Sequence, residues 1–383
     1  MLGALLALAA VWPFGPYQLT LLIARRVRRF APVQCAAEPT EGDPLTFAIC
    51  LCVYNEKAVI RDKVEDLLRL RAAAGGDLDI AIYADAPSDG TTAILEEYRD
   101  QIRLVISSDR RGKTHGMNLL VAGTTASIVV FTDANVRVAP NAVAVLRRYF
   151  ADQSIGCVCS DLTYVNAADS PVAQVGSAFW SFNEWTKGLE TDTGSVIGAD
   201  GSLFAVRRSL HRVVPRGMFD DIYVSLSVLL AGKRVVRAPE LRACETHSTH
   251  AAEEFRRKIR ISCECMAVHF ELWPELKQLS AWNVYKYLAH RFVRWIGGYL
   301  IAASLLCLLA AAAISFGFLP AVAAVALASA LFAISVRLNL PFSRLAWNVA
   351  LAFAGNTVGV WKALRGHRAV TWEPPSSSRA SGL

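Results

Sequence analysis

At 383 residues the chain is long enough for one large or two ordinary domains, and 54% of it is hydrophobic, high for a purely soluble protein. Its formal net charge of +7 invites a nucleic-acid reading. The basic residues crowd beside apolar stretches, and no recognisable nucleic-acid module accompanies them, so nucleic acid is excluded as a partner and a lipid bilayer is expected instead.

Met1 to Ala24 carries no charge, lacks a basic start and is followed by Arg25, Arg26, Arg28 and Arg29. That pattern predicts an uncleaved anchor over 1–30, kinked at Pro13 and Pro16, with the arginines on the cytoplasmic side. A linker, Glu38 to Pro44, leads into a soluble domain spanning 31–281. Short β-rich runs at Phe47–Tyr54, Leu78–Asp85, Arg103–Ser107 and Ser127–Asp133 alternate with helical patterns at Ala58–Arg71, Thr92–Tyr98 and Lys113–Gly123. Alternation of this kind predicts β-α-β units and a mostly parallel sheet.

The second half of the domain is less regular. Val172–Glu190 is amphipathic and aromatic, Gly198–Arg208 reads as a turn and strand, and Asp220-Asp221 opens a helix closed by Gly232. Glu253–Phe270 reads as a basic helix that becomes apolar. Three C-x-C pairs (Cys50/Cys52, Cys157/Cys159, Cys263/Cys265) suit one face of a strand and a reduced core rather than zinc. Further on, 282–363 forms an interface helix and a C-terminal membrane region. Trp295 to Val336 is charge-free and suits a hairpin turning at Gly317–Pro320, whereas Leu345–Trp361 reads as in-plane or re-entrant. The last segment, 364–383, is expected to be a cytoplasmic tail, mobile over Pro374–Arg379. The chain is therefore expected to be an integral inner or plasma membrane protein with its soluble domain in the cytoplasm.

In open α/β sheets ligands gather at the carboxyl ends of the strands. Here those ends carry Tyr54-Asn55-Glu56, Asp85 and Asp133-Ala134-Asn135. Asp133 and Asn135 are oxygen donors two residues apart, suited to a divalent cation completed by diphosphate and water. Asp85 suits the base or ribose of a nucleotide. Lys113 opens a helix, where a cation and free N–H groups favour phosphate. The Asp220-Asp221 pair is the arrangement that tunes one carboxylate toward a general base.

Read together, V-Y-N-E (53–56), A-D-A-P-S-D-G-T (84–91), R-G-K-T-H-G-M-N (111–118), F-T-D-A-N (131–135), G-A-D-G-S-L-F-A-V-R-R (198–208), F-D-D (219–221) and E-F-R-R-K-I-R (254–260) resemble the family 2 glycosyltransferases. That group includes cellulose, chitin, hyaluronan and poly-N-acetylglucosamine synthases. The resemblance implies a GT-A fold: an α/β, Rossmann-like domain with a mixed, mainly parallel sheet, flanked here by N- and C-terminal transmembrane helices. It implies an inverting transfer from a UDP-sugar to a glycan or lipid-linked acceptor, forming a β-glycosidic bond with Mg2+ or Mn2+.

Carried over by position, Asp221 is the base, and Tyr54, Asn55, Glu56, Asp85, Lys113, Asp133, Arg257 and Arg260 hold the nucleotide-sugar. Gly198, Ala199, Asp200, Gly201 and Asp220 line the acceptor side, and Asp133 with Asn135 holds the metal. The chain departs from the processive synthases in having F-D-D for their T/E-E-D, Arg257 for Gln, Ile261 for the stacking Trp, and Asn135 where many members have a second Asp. These departures favour transfer without extrusion of a polymer. They leave open a polysaccharide synthase that works with a second copy of the chain or with export partners. They also leave open a tethered nucleotide-sugar-binding subunit with little turnover.

Overall fold

A computed structural model describes residues 1–34, 45–338 and 340–379. The predicted linker at Glu38–Pro44 lies outside the described residues. The chain opens with α1 (Leu2–Val11) and, after a short turn, α2 (Pro16–Val27). The two are bent by 60° where Trp12-Pro13-Phe14-Gly15-Pro16 interrupts the helical ladder, so the segment expected to be an anchor is a bent helix pair and not one straight helix.

The predicted strands and helices follow with small changes of boundary. They are β1 (Phe47–Val53), α3 (Ile60–Ala73), β2 (Leu78–Asp85), α4 (Thr91–Glu96), β3 (Arg103–Ser107), α5 (Lys113–Ala122) and β4 (Ile128–Thr132). After them come β5 (Arg137–Val138), α6 (Ala142–Phe150), β6 (Ile155–Tyr164), α7 (Pro171–Asp192), β7 (Leu203–Arg207), α8 (Asp220–Leu230), β8 (Arg234–Glu245) and α9 (Ala251–Leu276). Ser170 caps α7 by accepting from the Ala173 N–H at 3.1 Å, with Pro171 in the first turn.

The strands form one sheet in the order β3-β2-β1-β4-β7-β6-β8-β5. The first four are parallel, as their crossover helices require. β7 then runs antiparallel to both β4 and β6, so the second half is mixed. Alternation along β1 divides the core. Phe47, Ile49, Leu51 and Val53 pack with α3 and α6 on one face, while Cys50 and Cys52 point to the other, under α5, α8 and α9. Cys157 and Cys159 repeat this on β6, but Cys263 and Cys265 lie on a helix, so the strand explanation does not extend to that pair.

Beyond the sheet, α10 (Ala281–Lys286), a π-helical turn (Tyr287–Phe292) and α11 (Val293–Phe316) make one 36-residue helix, followed by α12 (Phe318–Arg337). This helix and α12 are each long and apolar enough to cross a membrane. α13 (Pro341–Leu364) is a continuous 24-residue helix that packs along α9. Glycines permit that approach: a Cβ on Gly359 would stand 2.4 Å from the Ile259 carbonyl oxygen, and one on Gly355 2.9 Å from the Lys258 Cβ. Residues 371–379, of which Pro374–Arg379 are expected to be mobile, instead lie across the carboxyl edge of the sheet and are tied to it.

Candidate active site

The carboxyl ends of β1 and β2 leave regular geometry abruptly. Asn55 and Ala86, one or two residues past the strands, both have φ of +51°, a conformation non-glycine residues seldom adopt away from functional turns. These turns bring distant segments together. Asn55 accepts from the Ser88 N–H at 2.8 Å, and the Glu56 N–H donates to Thr91 at 2.9 Å.

Asp85 is completely buried and accepts from the Arg111 N–H at 2.7 Å, the Gly112 N–H at 3.0 Å and Arg110 Nε at 3.3 Å. It therefore fixes the loop that launches α5 and does not form part of the cavity wall. Lys113, the first residue of α5, projects from that loop onto Asp133 at 2.9 Å and Asp220 at 3.3 Å. Burial alone would pull its ammonium down, but the Asp133 and Asp220 carboxylates outweigh it and hold Lys113 above the usual lysine range.

Beneath Asp133, the wholly buried Lys63 of α3 donates to the Val136 carbonyl at 2.5 Å and to Thr132 at 3.3 Å, bracing the turn that carries Asp133 and Asn135. Burial lowers Lys63 to about 8.

These groups wall a cavity of about 600 Å3, within the range of small-molecule sites. Of the residues expected at the site, Glu56, Lys113, Asp133, Asn135, Ala199, Asp200, Gly201, Asp220, Asp221, Arg257 and Arg260 line it. Tyr54, Asn55, Asp85 and Gly198 do not. The Arg110 guanidinium lies 3.2 Å over the Tyr54 ring, which meets the Trp372 ring edge-on at 6.2 Å, so Tyr54 joins a cluster beside the cavity. Gly198 has φ of +86°, and a Cβ there would meet Ile222 at 2.6 Å; it shapes the backbone, with its carbonyl accepting from Arg291.

Asp200 lines the wall, but Lys187 holds its carboxylate at 2.5 Å in a buried cluster that includes Glu184 and Arg237. That engagement makes it a strut for the G-A-D-G turn. Arg257 and Arg260 reach the cavity from α9 while paired with Glu254 at 3.4 Å and Glu264 at 3.1 Å.

Asp221 is 1% exposed. Burial, then the adjacent Asp220, raise its carboxyl well above the usual range; Lys113 opposes them and Asp200 adds to the rise. A Cβ on Gly201 would stand 3.0 Å from Asp221 Oδ2, so the glycine keeps the space in front of that oxygen open.

Among the described residues no three His, Cys, Asp or Glu side chains converge to hold a metal unaided. Asp133 and Asn135 nonetheless fit a hard divalent cation of the kind that takes one or two protein oxygens and completes its shell with phosphate and water. The Asn135 amide nitrogen donates to Glu245 at 3.0 Å, so its oxygen is the atom suited to a cation.

Several lining residues escaped sequence reasoning. Glu245 ends β8, and Asn183, Arg291 and Arg294 come from α7 and the 36-residue helix. Trp372 and Arg379 arrive on the C-terminal strap. Arg379 grips the buried Glu56 with two bonds of 2.7 and 2.9 Å, and Ser376 and Ser377 donate to Glu253. None was expected at the site, and only the folded chain brings them there.

Residues 48–214 match the family model described as glycosyl transferase family 2. No curated protein matches the chain in sequence. Among solved structures, it is similar to the mannosyltransferase PcManGT from Pyrobaculum calidifontis in complex with GDP-Man and Mn2+. That similarity has a TM-score of 0.65 at 22% identity and covers 96% of this chain and 100% of that one, apolar helices included. At this identity the likeness speaks for a shared fold. Glucosyl-3-phosphoglycerate synthase from Mycobacterium tuberculosis, in complex with Mn2+, UDP-glucose and phosphoglyceric acid, superposes more loosely. Its TM-score is 0.43 at 16% identity, over 65% of this chain and 82% of that one, too loose to bear on the site. The mixed sheet is thus a GT-A-like α/β domain, and its residues 48–214 carry the glycosyl transferase family 2 match.

Proposed function

We propose that the chain transfers a sugar, with inversion, from a nucleotide-sugar to an acceptor hydroxyl at the cytoplasmic face of a membrane. The observation that carries this reading is the convergence of Asp133, Asn135, Lys113, Asp220 and Asp221 on one cavity. These groups come from the end of β4, the start of α5 and the start of α8, so only a folded site explains their meeting.

In this reading the diphosphate lies against Lys113, with Arg257 and Arg260 close by on α9. Asp133 and Asn135 would hold a divalent ion, Mg2+ or Mn2+, which supplies neutralisation of the leaving diphosphate. Lys113, released from Asp133 as phosphate enters, turns its charge to the same group. Asp85 acts at one remove by holding the 110–112 loop. Trp372, on the cavity wall beside the Tyr54–Arg110 pair, offers a flat surface to a base; UDP is the expected carrier, and GDP is the carrier named for the Pyrobaculum protein.

Asp221 takes the acceptor proton. The acceptor oxygen forms its bond to the anomeric carbon as the bond from that carbon to the diphosphate breaks, and the nucleoside diphosphate leaves with the electron pair. An α-linked donor so yields a β-glycoside. The long apolar helix whose Arg291, Arg294 and Trp295 line the cavity, with α12 packed on it, supports a membrane-facing acceptor, a glycan or a lipid-linked sugar. Incubation of the purified chain with a panel of UDP- and GDP-sugars, with Mn2+, Mg2+ or EDTA, tests the proposal. Metal-dependent release of nucleoside diphosphate is expected. Binding of nucleotide with no release for any donor and acceptor would instead indicate a tethered binding subunit.

A further inference from the structure

The cavity has a second end, which the donor chemistry leaves unused. There, at the start of α11, Arg294 is 8% exposed and lines the wall. Its Nη1 donates to Asn183 at 3.0 Å, but Nε and Nη2 are buried and have no hydrogen-bond partner in the protein. A guanidinium is five N–H donors in a fixed fork, and the three on these two buried nitrogens are costly to leave unused unless an anion takes them. Arg291, one turn earlier, is already spent on the carbonyls of Ile197 and Gly198.

A second cation lies close by. Lys258 Nζ stands 5.2 Å and the Arg294 guanidinium carbon 5.3 Å from the centroid of the same ring, Phe179. Glu254 is shared between Arg257 and Lys258 at 3.4 Å each, and Glu190, the acid on the Arg294 side, is already engaged by Tyr17 and His290, so neither cancels the pair.

The location fixes what kind of anion belongs here. Lys258 sits where α13 crosses α9 at Gly355, and one turn past Arg294 the glycines 297 and 298 admit Phe353 and Thr357 of α13. The Arg294 guanidinium also lies 5.3 Å from the ring of Phe14, in the break of the N-terminal helix pair. The phosphate-suited corner is therefore framed by apolar helices, with Trp295 on its wall. Buried ionisable groups among such helices mark ligand positions, and aromatic rings collect at the headgroup level.

We infer that this end of the cavity binds the phosphate of a lipid, and that the acceptor is a lipid-phosphate-linked sugar whose hydroxyl reaches Asp221. This deepens the transferase reading and rests on it. The Arg294–Lys258 corner takes the phosphate, α11 and α13 face the lipid chain, and the sugar extends toward the donor.

Binding to the full chain in nanodiscs, followed by native mass spectrometry, separates the sources of the anion. The probes are farnesyl phosphate, farnesol and inorganic phosphate. Farnesyl phosphate is expected to bind at least tenfold more tightly than either of the others. Arg294→Gln and Lys258→Gln should each weaken it about ten- to a hundredfold, and Arg294→Lys should restore part of the loss. Farnesol binding equally well would show an apolar groove only; inorganic phosphate binding equally well would show a general anion pocket. Either result, or unchanged affinity in both glutamine variants, overturns the inference. UDP and GDP binding with Mn2+ is measured on the same samples. Loss of nucleotide binding in Arg294→Gln alone marks a misfolded variant and leaves Lys258→Gln to decide. Absence of nucleotide binding in the unmodified chain refutes the donor reading without touching the lipid result.

Discussion

Gly201→Ala isolates the position of the proposed base. The new methyl group would stand 3.0 Å from Asp221 Oδ2 and 3.7 Å from Lys113 Nζ, whereas ordinary contact begins at 3.4 Å. The carboxylate must therefore recede by about 0.4 Å, while the lysine keeps a normal contact. A misplacement of about 1 Å costs about a hundredfold in rate; scaled logarithmically, 0.4 Å costs about sixfold, or about 1 kcal/mol of barrier. Because Lys113 and Asp133 are undisturbed, donor affinity should change by less than about twofold. The assay pairs kcat from nucleoside diphosphate release with donor affinity from calorimetry in Mn2+. A kcat equal to that of the unmodified chain, at unchanged affinity, would refute the claim that Asp221 Oδ2 faces the reacting hydroxyl. A fall in affinity matching the fall in kcat would refute it too, since the methyl would then act on the donor.

Four further outcomes are expected. Asp221→Asn should lower kcat by at least about a hundredfold and leave donor affinity within about threefold, read by the same two assays. Since burial and Asp220 raise the Asp221 carboxyl and the base must be ionised, kcat/KM should climb with pH through that raised value; a profile flat from pH 5 to 8 counts against the assignment. Asp133→Ala should weaken nucleotide binding in Mn2+ by about tenfold or more and abolish the difference between Mn2+ and EDTA, as seen by calorimetry. Lys63, lowered to about 8 in the fold against about 10.5 unfolded, destabilises the native state fully below pH 8 and progressively less as pH rises toward 10.5. Relative to Lys63→Met, the unmodified chain should therefore gain about 3 kcal/mol across that window, measured by denaturant unfolding in detergent.

How much of this was legible beforehand follows from the range over which each force acts. The first four strands announced themselves because each is a short apolar run ended by polar residues, and three of the resulting strand ends do carry the polar clusters expected. Asp133, Asn135, Asp220 and Asp221 could be placed in one site because each opens or closes an element, where side chains are free to face a ligand. Asp85 obeyed the same pattern and still sits beneath the wall, because backbone N–H groups of 111 and 112, unknowable from spacing, claim its oxygens. Asp200 is a parallel case: its neighbour in the fold is Lys187, and a lysine buried inside an aromatic helix leaves no periodic trace.

The C-terminal strap shows the same limit from the other side. Pro, Ser and Gly after the last helix are what a solvated tail looks like, and composition alone weighs toward mobility. What overrides composition is a set of partners that exist only once the sheet edge has formed. The buried carboxylate of Glu56 meets Arg379, Glu253 receives two serine hydroxyls, and the Trp372 carbonyl accepts from Arg110 at 2.7 Å. Gly112 is part of that fit: its φ of +92° and the Val370 carbonyl oxygen, 2.1 Å from where a Cβ would be, leave no room for any other residue. The glycine of R-G-K-T-H-G-M-N thus serves two ends of the chain at once, presenting its N–H to Asp85 and its bare Cα to the strap. The loop that launches α5 and the strap therefore share one packed contact, and a side chain at 112 would have to push the strap off it.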